Sequence, residues 1–301
     1  MGEIRTIAVI GAGIMGRGIA QVAALGGYRT VLEDVVPAAL RKAQDEIRGN
    51  LDKAVELQKV LPDDARAVLE RLEYAGSVEE AAREADLVIE AVPEEIESKI
   101  EIFTLLDKIC RPGTVLASNT SSLSITEIAS VTYRPKQCLG MHFFNPVHKM
   151  KLLEIVRALE TDEGTIAAAV EVGRKMGKEV VVIKESPGFI TSRVNAMIGN
   201  EAFYMLQEGI ASAADIDKAL KLGLNHPLGP FELVDLVGLD TRLHILEYLH
   251  RTLGEKYRPA PLLVQYVKAG RLGRKSGRGV YEYSPQPGQA AMASVSKALS
   301  E

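Results

Sequence analysis

Cysteine is nearly missing from this chain of 301 residues: only Cys110 and Cys138 occur, at neither metal-binding nor redox spacing. Cys138 falls in an apolar strand pattern, so both read as reduced core thiols, and no metal site is expected. Charge of one sign is also scarce. A net charge of −4 offers no basic surface for nucleic acid, although local Lys and Arg clusters remain able to meet a phosphorylated substrate. No apolar run approaches the roughly 20 residues that a bilayer-spanning helix needs, which excludes that kind of membrane protein. Met1 passes almost directly into a strand pattern, without a basic-then-apolar leader or an Arg-rich transit segment, and a cytoplasmic location is expected. There is no fixed-period repeat and no long low-complexity segment. What is present is ordinary for a folded protein, 47% hydrophobic and 25% charged, at a length where one core usually gives way to two domains.

The most informative segment runs from Ile7 to Ala20. An apolar run, Ile7-Ala8-Val9-Ile10, meets Gly11-Ala12-Gly13-Ile14-Met15-Gly16 and then a helix-forming sequence. This is the context in which a G-x-G-x-x-G turn binds a dinucleotide. Gly11 permits the tight turn, Gly13 lets a pyrophosphate approach bare backbone N–H groups at a helix start, and Gly16 allows close helix–strand contact. Asp34, 23 residues after Gly11, stands where an acid accepts hydrogen bonds from the adenine ribose. Glu33 precedes it, and two carboxylates beside a 2′-phosphate would repel it, so NAD is favoured over NADP.

The order of patterns predicts an α/β fold. A helical arm over about 37–72 follows the second strand, Arg29–Leu32, and further strands are expected at 86–92, 115–117 and 137–142 with helices between them. Such alternation implies a Rossmann-like, doubly wound parallel sheet. Candidate strands at 151–156 and 179–183 flank one more helix, and Ser186-Pro187-Gly188 then breaks the pattern. We therefore expect a nucleotide-binding domain over 1–186 and a mostly α domain over 187–283. The segment 284–301, with Pro285, Pro287 and Gly288, reads as a mobile tail.

His142 ends one strand pattern and Glu154 lies in the next. In a hairpin centred near His148, antiparallel partners share the constant sum 296, which pairs 142 with 154. Opposed Cβ atoms stand about 4.5–5.5 Å apart, close enough for a carboxylate to bond one imidazole nitrogen and leave the other to take a proton. From spacing alone, the pair is either an oriented general base or a core histidine satisfied by a structural acid. The run Ser118–Ser122 follows a strand where open α/β sheets bind ligands, or is a loop with an N-cap.

These residues together resemble one family along nearly the whole chain, the L-3-hydroxyacyl-CoA dehydrogenases, including the short bacterial 3-hydroxybutyryl-CoA dehydrogenases. The resemblance rests on Gly11–Gly18, Ser118–Leu123, His142–Pro146, Ser186–Phe189, His226–Pro230 and Gly273–Gly277, in the family's order and approximate spacing. It implies reversible hydride transfer between a 3-hydroxyacyl-CoA and NAD, with His142 as base and Glu154 as its partner. It also implies that Ser121 bonds the substrate oxygen and touches the nicotinamide, and that Glu94, Lys99, Asn145 and Lys275 contact the cofactor. One departure is clear: where the family often reads Phe-Ile-x-Asn-Arg, this chain reads Phe189-Ile190-Thr191-Ser192-Arg193, so a shorter hydroxyl at Ser192 stands in the substrate-holding position. Asn50 and Lys53 of the helical arm match the CoA contacts. A homodimer formed through the C-terminal domain is a further implication.

Two other readings stand beside this one. A sister dehydrogenase acting on a free hydroxy acid or sugar acid would use the same Ser, His and Glu, and CoA dependence separates the two. A non-enzymatic NAD-binding protein would keep the fold without turnover.

Overall fold

The computed structural model describes residues 2–283; the expected tail, 284–301, lies outside the described residues. The chain separates into two compact units, Met1–Phe189 and a second that begins at Ile190.

The first unit contains β1 (Thr6–Ile10), α1 (Ile14–Leu25), β2 (Arg29–Glu33), α2 (Pro37–Glu56), α3 (Pro62–Arg71), β3 (Leu72–Ala75), α4 (Val78–Ala82), β4 (Leu87–Glu90), α5 (Ile96–Ile109), β5 (Val115–Ser118), α6 (Ile125–Ala129), β6 (Cys138–Phe143), β7 (Leu152–Arg157), α7 (Glu163–Lys175) and β8 (Glu179–Lys184). The strands form one sheet in the order β3-β2-β1-β4-β5-β6-β7-β8. All neighbours run parallel except β6 and β7, so the sheet is mixed and mostly parallel. Both faces of its centre are buried. Ile7, Val9, Leu87, Ile89, Val115 and Ala117 face one core, while Ala8, Ile10, Val88 and Leu116 face the other. Alternate side chains of a strand point to opposite faces, which is why these strands read as continuous apolar runs. Full burial of each Val, Leu or Ile contributes roughly 1.5–3 kcal/mol.

Two elements escaped the sequence reading of this unit. β3 has four residues and is an edge strand that pairs with β2 alone, so it lacks the apolar run of a central strand. Its Glu73 instead meets Arg29 of β2 in an exposed ion pair at 2.7 Å. The five-residue α4 is likewise too short to show a helical period, although Ser77 caps it by accepting a hydrogen bond from the Glu80 N–H.

The second unit is built of α8 (Thr191–Gln207), α9 (Ala213–Gly223), α10 (Pro230–Val237), α11 (Leu239–Leu253) and α12 (Pro261–Lys268). Phe203, Phe231, Leu246, Leu249 and Leu263 fill its core, with Phe203 and Phe231 edge to face at 5.2 Å. Asp235 accepts from the N–H groups of Val280 and Tyr281 and from the Tyr283 hydroxyl, which ties the last described residues onto α10.

Candidate active site

Six parallel strands, β1 to β6, deliver their carboxyl ends to one side of the sheet. The order in which strands are added reverses between β1 and β4, the place where open α/β sheets form a ligand crevice. The Gly-rich turn leaves β1 there. Gly11 has φ +98°, and a Cβ on it would stand 2.9 Å from the Ala91 carbonyl oxygen. A Cβ on Gly16 would stand 1.7 Å from the Gly11 oxygen, so only glycine permits this approach of α1 to β1. Around Gly13, by contrast, a Cβ would meet nothing within 4 Å, and no side chain caps α1. The first turn of α1 thus presents N–H groups without a side-chain acceptor beside open space, which fits a pyrophosphate.

Asp34 follows β2 and is half-buried. Its carboxylate accepts hydrogen bonds from the Ala12 and Val36 N–H groups, each at 2.9 Å, which fixes it beside the Gly-rich turn. Glu33 behaves differently from its neighbour. It is buried, with one carboxylate oxygen lacking a hydrogen-bond partner, and burial together with the Asp34 charge pushes it up to about 7. The expectation of two equivalent charged carboxylates is thus corrected: only Asp34 is half-exposed at the turn, while Glu33 is buried with its carboxyl raised.

After β4 and β5 the structure gathers three of the predicted residues. One oxygen of Glu94 accepts from Thr120 Oγ1 at 2.6 Å, the Ser121 N–H at 2.8 Å and Ser121 Oγ at 3.1 Å. Its other oxygen lies 3.4 Å from Lys99 Nζ. Lys99 is not an exposed helix-start charge but is buried, paired with Glu90 at 2.7 Å. Glu90 went unremarked in the sequence because it ends an apolar strand; a charge at the end of such a run, nine residues before a lysine, is the signal that could have found it.

His142 and Glu154 face each other across the antiparallel β6–β7 pair, at the register given by the sum 296. His142 Nδ1 and Glu154 Oε2 are 2.7 Å apart and both side chains are buried. With Glu154 ionised, Nδ1 carries the donated hydrogen and Nε2 keeps its lone pair. The ring also packs against Phe144 at 4.4 Å and Phe189 at 5.6 Å between centroids. Asn119 accepts from the Phe143 N–H at 2.9 Å and so joins the Ser121 loop to the histidine strand.

The other predicted residues are placed singly. Asn145 is exposed, before a cis proline, and the loop it opens is held by Lys178 Nζ, which donates to the Val147 and Met150 carbonyls. Asn50 on α2 donates to Gln21 at 3.3 Å, and Lys53, a turn further on, is exposed. In the second unit, Ser192 is half-buried in the first turn of α8, and Lys275 Nζ pairs with Asp240 at 2.7 Å. Among the described residues there is no cluster of His, Cys, Asp and Glu able to hold a metal ion, and no helix is long and apolar enough to cross a membrane.

A dinucleotide turn, an oriented imidazole and a hydroxyl loop at one sheet edge define a nucleotide-dependent oxidoreductase. Residues 6–186 match the family model described as "3-hydroxyacyl-CoA dehydrogenase, NAD binding domain", and residues 188–283 match "3-hydroxyacyl-CoA dehydrogenase, C-terminal domain". A probable 3-hydroxybutyryl-CoA dehydrogenase of Bacillus subtilis is 49% identical over 93% of this chain and 98% of its own length. A 3-hydroxybutyryl-CoA dehydrogenase of Bradyrhizobium diazoefficiens is 46% identical over 93% and 96% respectively. The crystal structure of (S)-3-hydroxybutyryl-CoA dehydrogenase from Ralstonia eutropha superposes with a TM-score of 0.91 at 43% identity, covering 94% of this chain and 100% of that one. The chain belongs to the 3-hydroxyacyl-CoA dehydrogenase family and is an NAD-dependent oxidoreductase.

Proposed function

We propose that this enzyme interconverts L-3-hydroxybutyryl-CoA and acetoacetyl-CoA, with His142 as the general base. The observation that carries the chemistry is the buried 2.7 Å contact between His142 Nδ1 and Glu154. Nε2 removes the 3-hydroxyl proton as the C3 hydride departs, and the carboxylate stabilises the imidazolium that forms. NAD, when bound, supplies the hydride acceptor. Ser121 meets the substrate oxygen and the nicotinamide; its hydroxyl reaches Glu94 by the longest of the three bonds to that oxygen, so it is the donor most readily turned to a ligand. A short acyl chain is supported by the names of the bacterial relatives above.

Gly11, Gly13, Gly16 and Asp34 hold the cofactor on this reading, with further contacts from Glu94, Asn145 and Lys275; Lys99, expected among these contacts, is buried on Glu90 and acts through Glu94. Asn50, Lys53 and Ser192 serve the acyl-CoA. The unit up to about 186, with its arm over 37–72, is the NAD-binding domain, and 187–283 the substrate and dimerisation domain. Homodimer formation is supported by the exposed apolar residues Ile190, at the N-cap of α8, and Val194 and Met197 on that helix, and a cytoplasmic location by the bacterial relatives above.

The test is a substrate series. Acetoacetyl-CoA and longer 3-ketoacyl-CoAs are assayed with NADH and with NADPH, and kcat/KM should be highest for the four-carbon thioester with NADH. Turnover of free hydroxy acids without any on CoA thioesters would overturn the assignment. Sedimentation at micromolar concentration should give the mass of two chains; that of one chain would reject the dimer.

A further inference from the structure

Glu90 has no part in the chemistry above, yet it lies fully buried at the end of β4 beneath the residues that perform it. A buried carboxylate and ammonium each cost several kcal/mol in lost hydration, and apolar residues of similar volume often hold a core as well or better. The Glu90–Lys99 pair is therefore poorly explained as a stabilising device. Its connections suggest another use. Glu90 Oε1 accepts from Lys99 Nζ at 2.7 Å and from the Val92 N–H at 2.8 Å, and Oε2 accepts from Ser118 Oγ at 2.5 Å. The same ammonium donates to the Val92 carbonyl at 3.3 Å and lies 3.4 Å from the second oxygen of Glu94. Glu94 in turn receives the N–H and O–H of Ser121. Each link is a hydrogen bond or ion pair, and the first two groups are closed off from water.

We propose that Glu90 is a positioning residue: it anchors Lys99, whose ammonium holds Glu94 against the Ser121 loop and so sets where the serine hydroxyl stands. The proposal rests on the reading of Ser121 as the group that meets the substrate oxygen. Without the Glu90 charge, Lys99 keeps one carboxylate partner where it had two, and that partner is at the surface. The ammonium then follows Glu94 outward instead of holding it. Small displacements of a reacting group, about 1 Å, cost up to about 100-fold in rate.

A double-mutant cycle tests this. Glu90→Gln keeps the shape and the acceptor but removes the charge; it lowers the melting temperature, because the Lys99 ammonium loses its buried partner, and kcat of the folded protein should fall about 10- to 100-fold. In a Ser121→Ala background the same change should lower kcat by less than about twofold, because residues that act through one group do not add. A merely structural role would give effects that multiply, and that result overturns the proposal. Should Glu90→Gln fail to fold, Glu90→Gln with Lys99→Met removes both buried charges together and must show the same non-additivity with Ser121→Ala. If Ser121→Ala alone has wild-type kinetics, the reading of Ser121 has failed and the proposal falls with it; an impaired Ser121→Ala with multiplying effects rejects the role of Glu90 alone.

Discussion

Replacing His142 by glutamine separates what the ring does in catalysis from what it does in the fold. A general base contributes about 10²- to 10⁴-fold in rate, which at about 1.4 kcal/mol per decade is roughly 3–5 kcal/mol of transition-state stabilisation. The amide cannot take up the 3-hydroxyl proton, so kcat for oxidation should fall within or beyond that range. The structural side is smaller. Glu154 is only 1% exposed and loses its Nδ1–H donor, a loss of about 1–3 kcal/mol where nothing replaces it. Glutamine still offers an N–H on a chain of similar reach, whereas His142→Ala offers none and also empties the contacts with Phe144 and Phe189. His142→Gln should therefore melt nearer to wild type than His142→Ala, with both catalytically crippled alike. The assay is single-turnover oxidation followed by NADH absorbance, with melting curves and NADH binding by fluorescence on the same samples. A folded His142→Gln protein that binds NADH and turns over within threefold of wild type would refute the assignment.

Glu154→Gln should lower kcat by about 10- to 100-fold, because an amide accepts the Nδ1 hydrogen but cannot stabilise an imidazolium as a carboxylate does; single-turnover rates near wild type would break the proposed pair. Asp34→Ser removes the charge held by the Ala12 and Val36 N–H groups, and the ratio of kcat/KM for NADH over NADPH should fall; an unchanged ratio would place the acid away from the ribose. Glu33 is left unchanged in that experiment because it is buried. Its own test is pH: a carboxyl held at about 7 in the folded protein binds its proton more tightly than when unfolded, so its contribution to stability declines as pH rises from about 4.5 to 7, by up to about 3 kcal/mol. Denaturant titrations should show Glu33→Gln to be less sensitive to pH across that window and more stable than wild type at pH 8; parallel curves would mean that the carboxylate is already satisfied.

How far the site was legible depended on whether spacing alone determines contact. The Gly-rich turn and the His142–Glu154 pair were readable, because a turn has a local signature and a hairpin's register is a constant sum. Buried polar groups were not readable in the same way. Lys99 looks from the sequence like an exposed charge near a helix start, because Glu90 ends an apolar run and reads as strand; the loop from β4 to α5 turns the helix back so that the two meet inside the protein. Glu33 and Asp34 are adjacent and chemically alike, yet strand alternation and the end of β2 send one into the protein and leave the other half-buried at the turn. β3 was missed for a related reason: an edge strand of four residues buries too little apolar surface to leave a pattern.

The hydrogens around Ser121 connect the two halves of the site. On the proposed mechanism the ketone oxygen accepts, in reduction, from the imidazolium and from the Ser121 hydroxyl, but that hydroxyl has one hydrogen, and it is directed at Glu94. For it to turn toward substrate, Glu94 must stay in place without it. Thr120 Oγ1, the Ser121 N–H and the Lys99 ammonium all continue to hold the carboxylate, and the bond given up is the longest of the three made to that oxygen. Its loss costs about 1 kcal/mol, which a bond to a developing oxyanion more than offsets. A carboxylate with several fixed donors and one movable one can thus keep the loop in register while the serine changes partners. The ion pair beneath it would be superfluous if the hydroxyl alone held Glu94, which is why the energetic coupling between Glu90 and Ser121 is the measurement that bears on both.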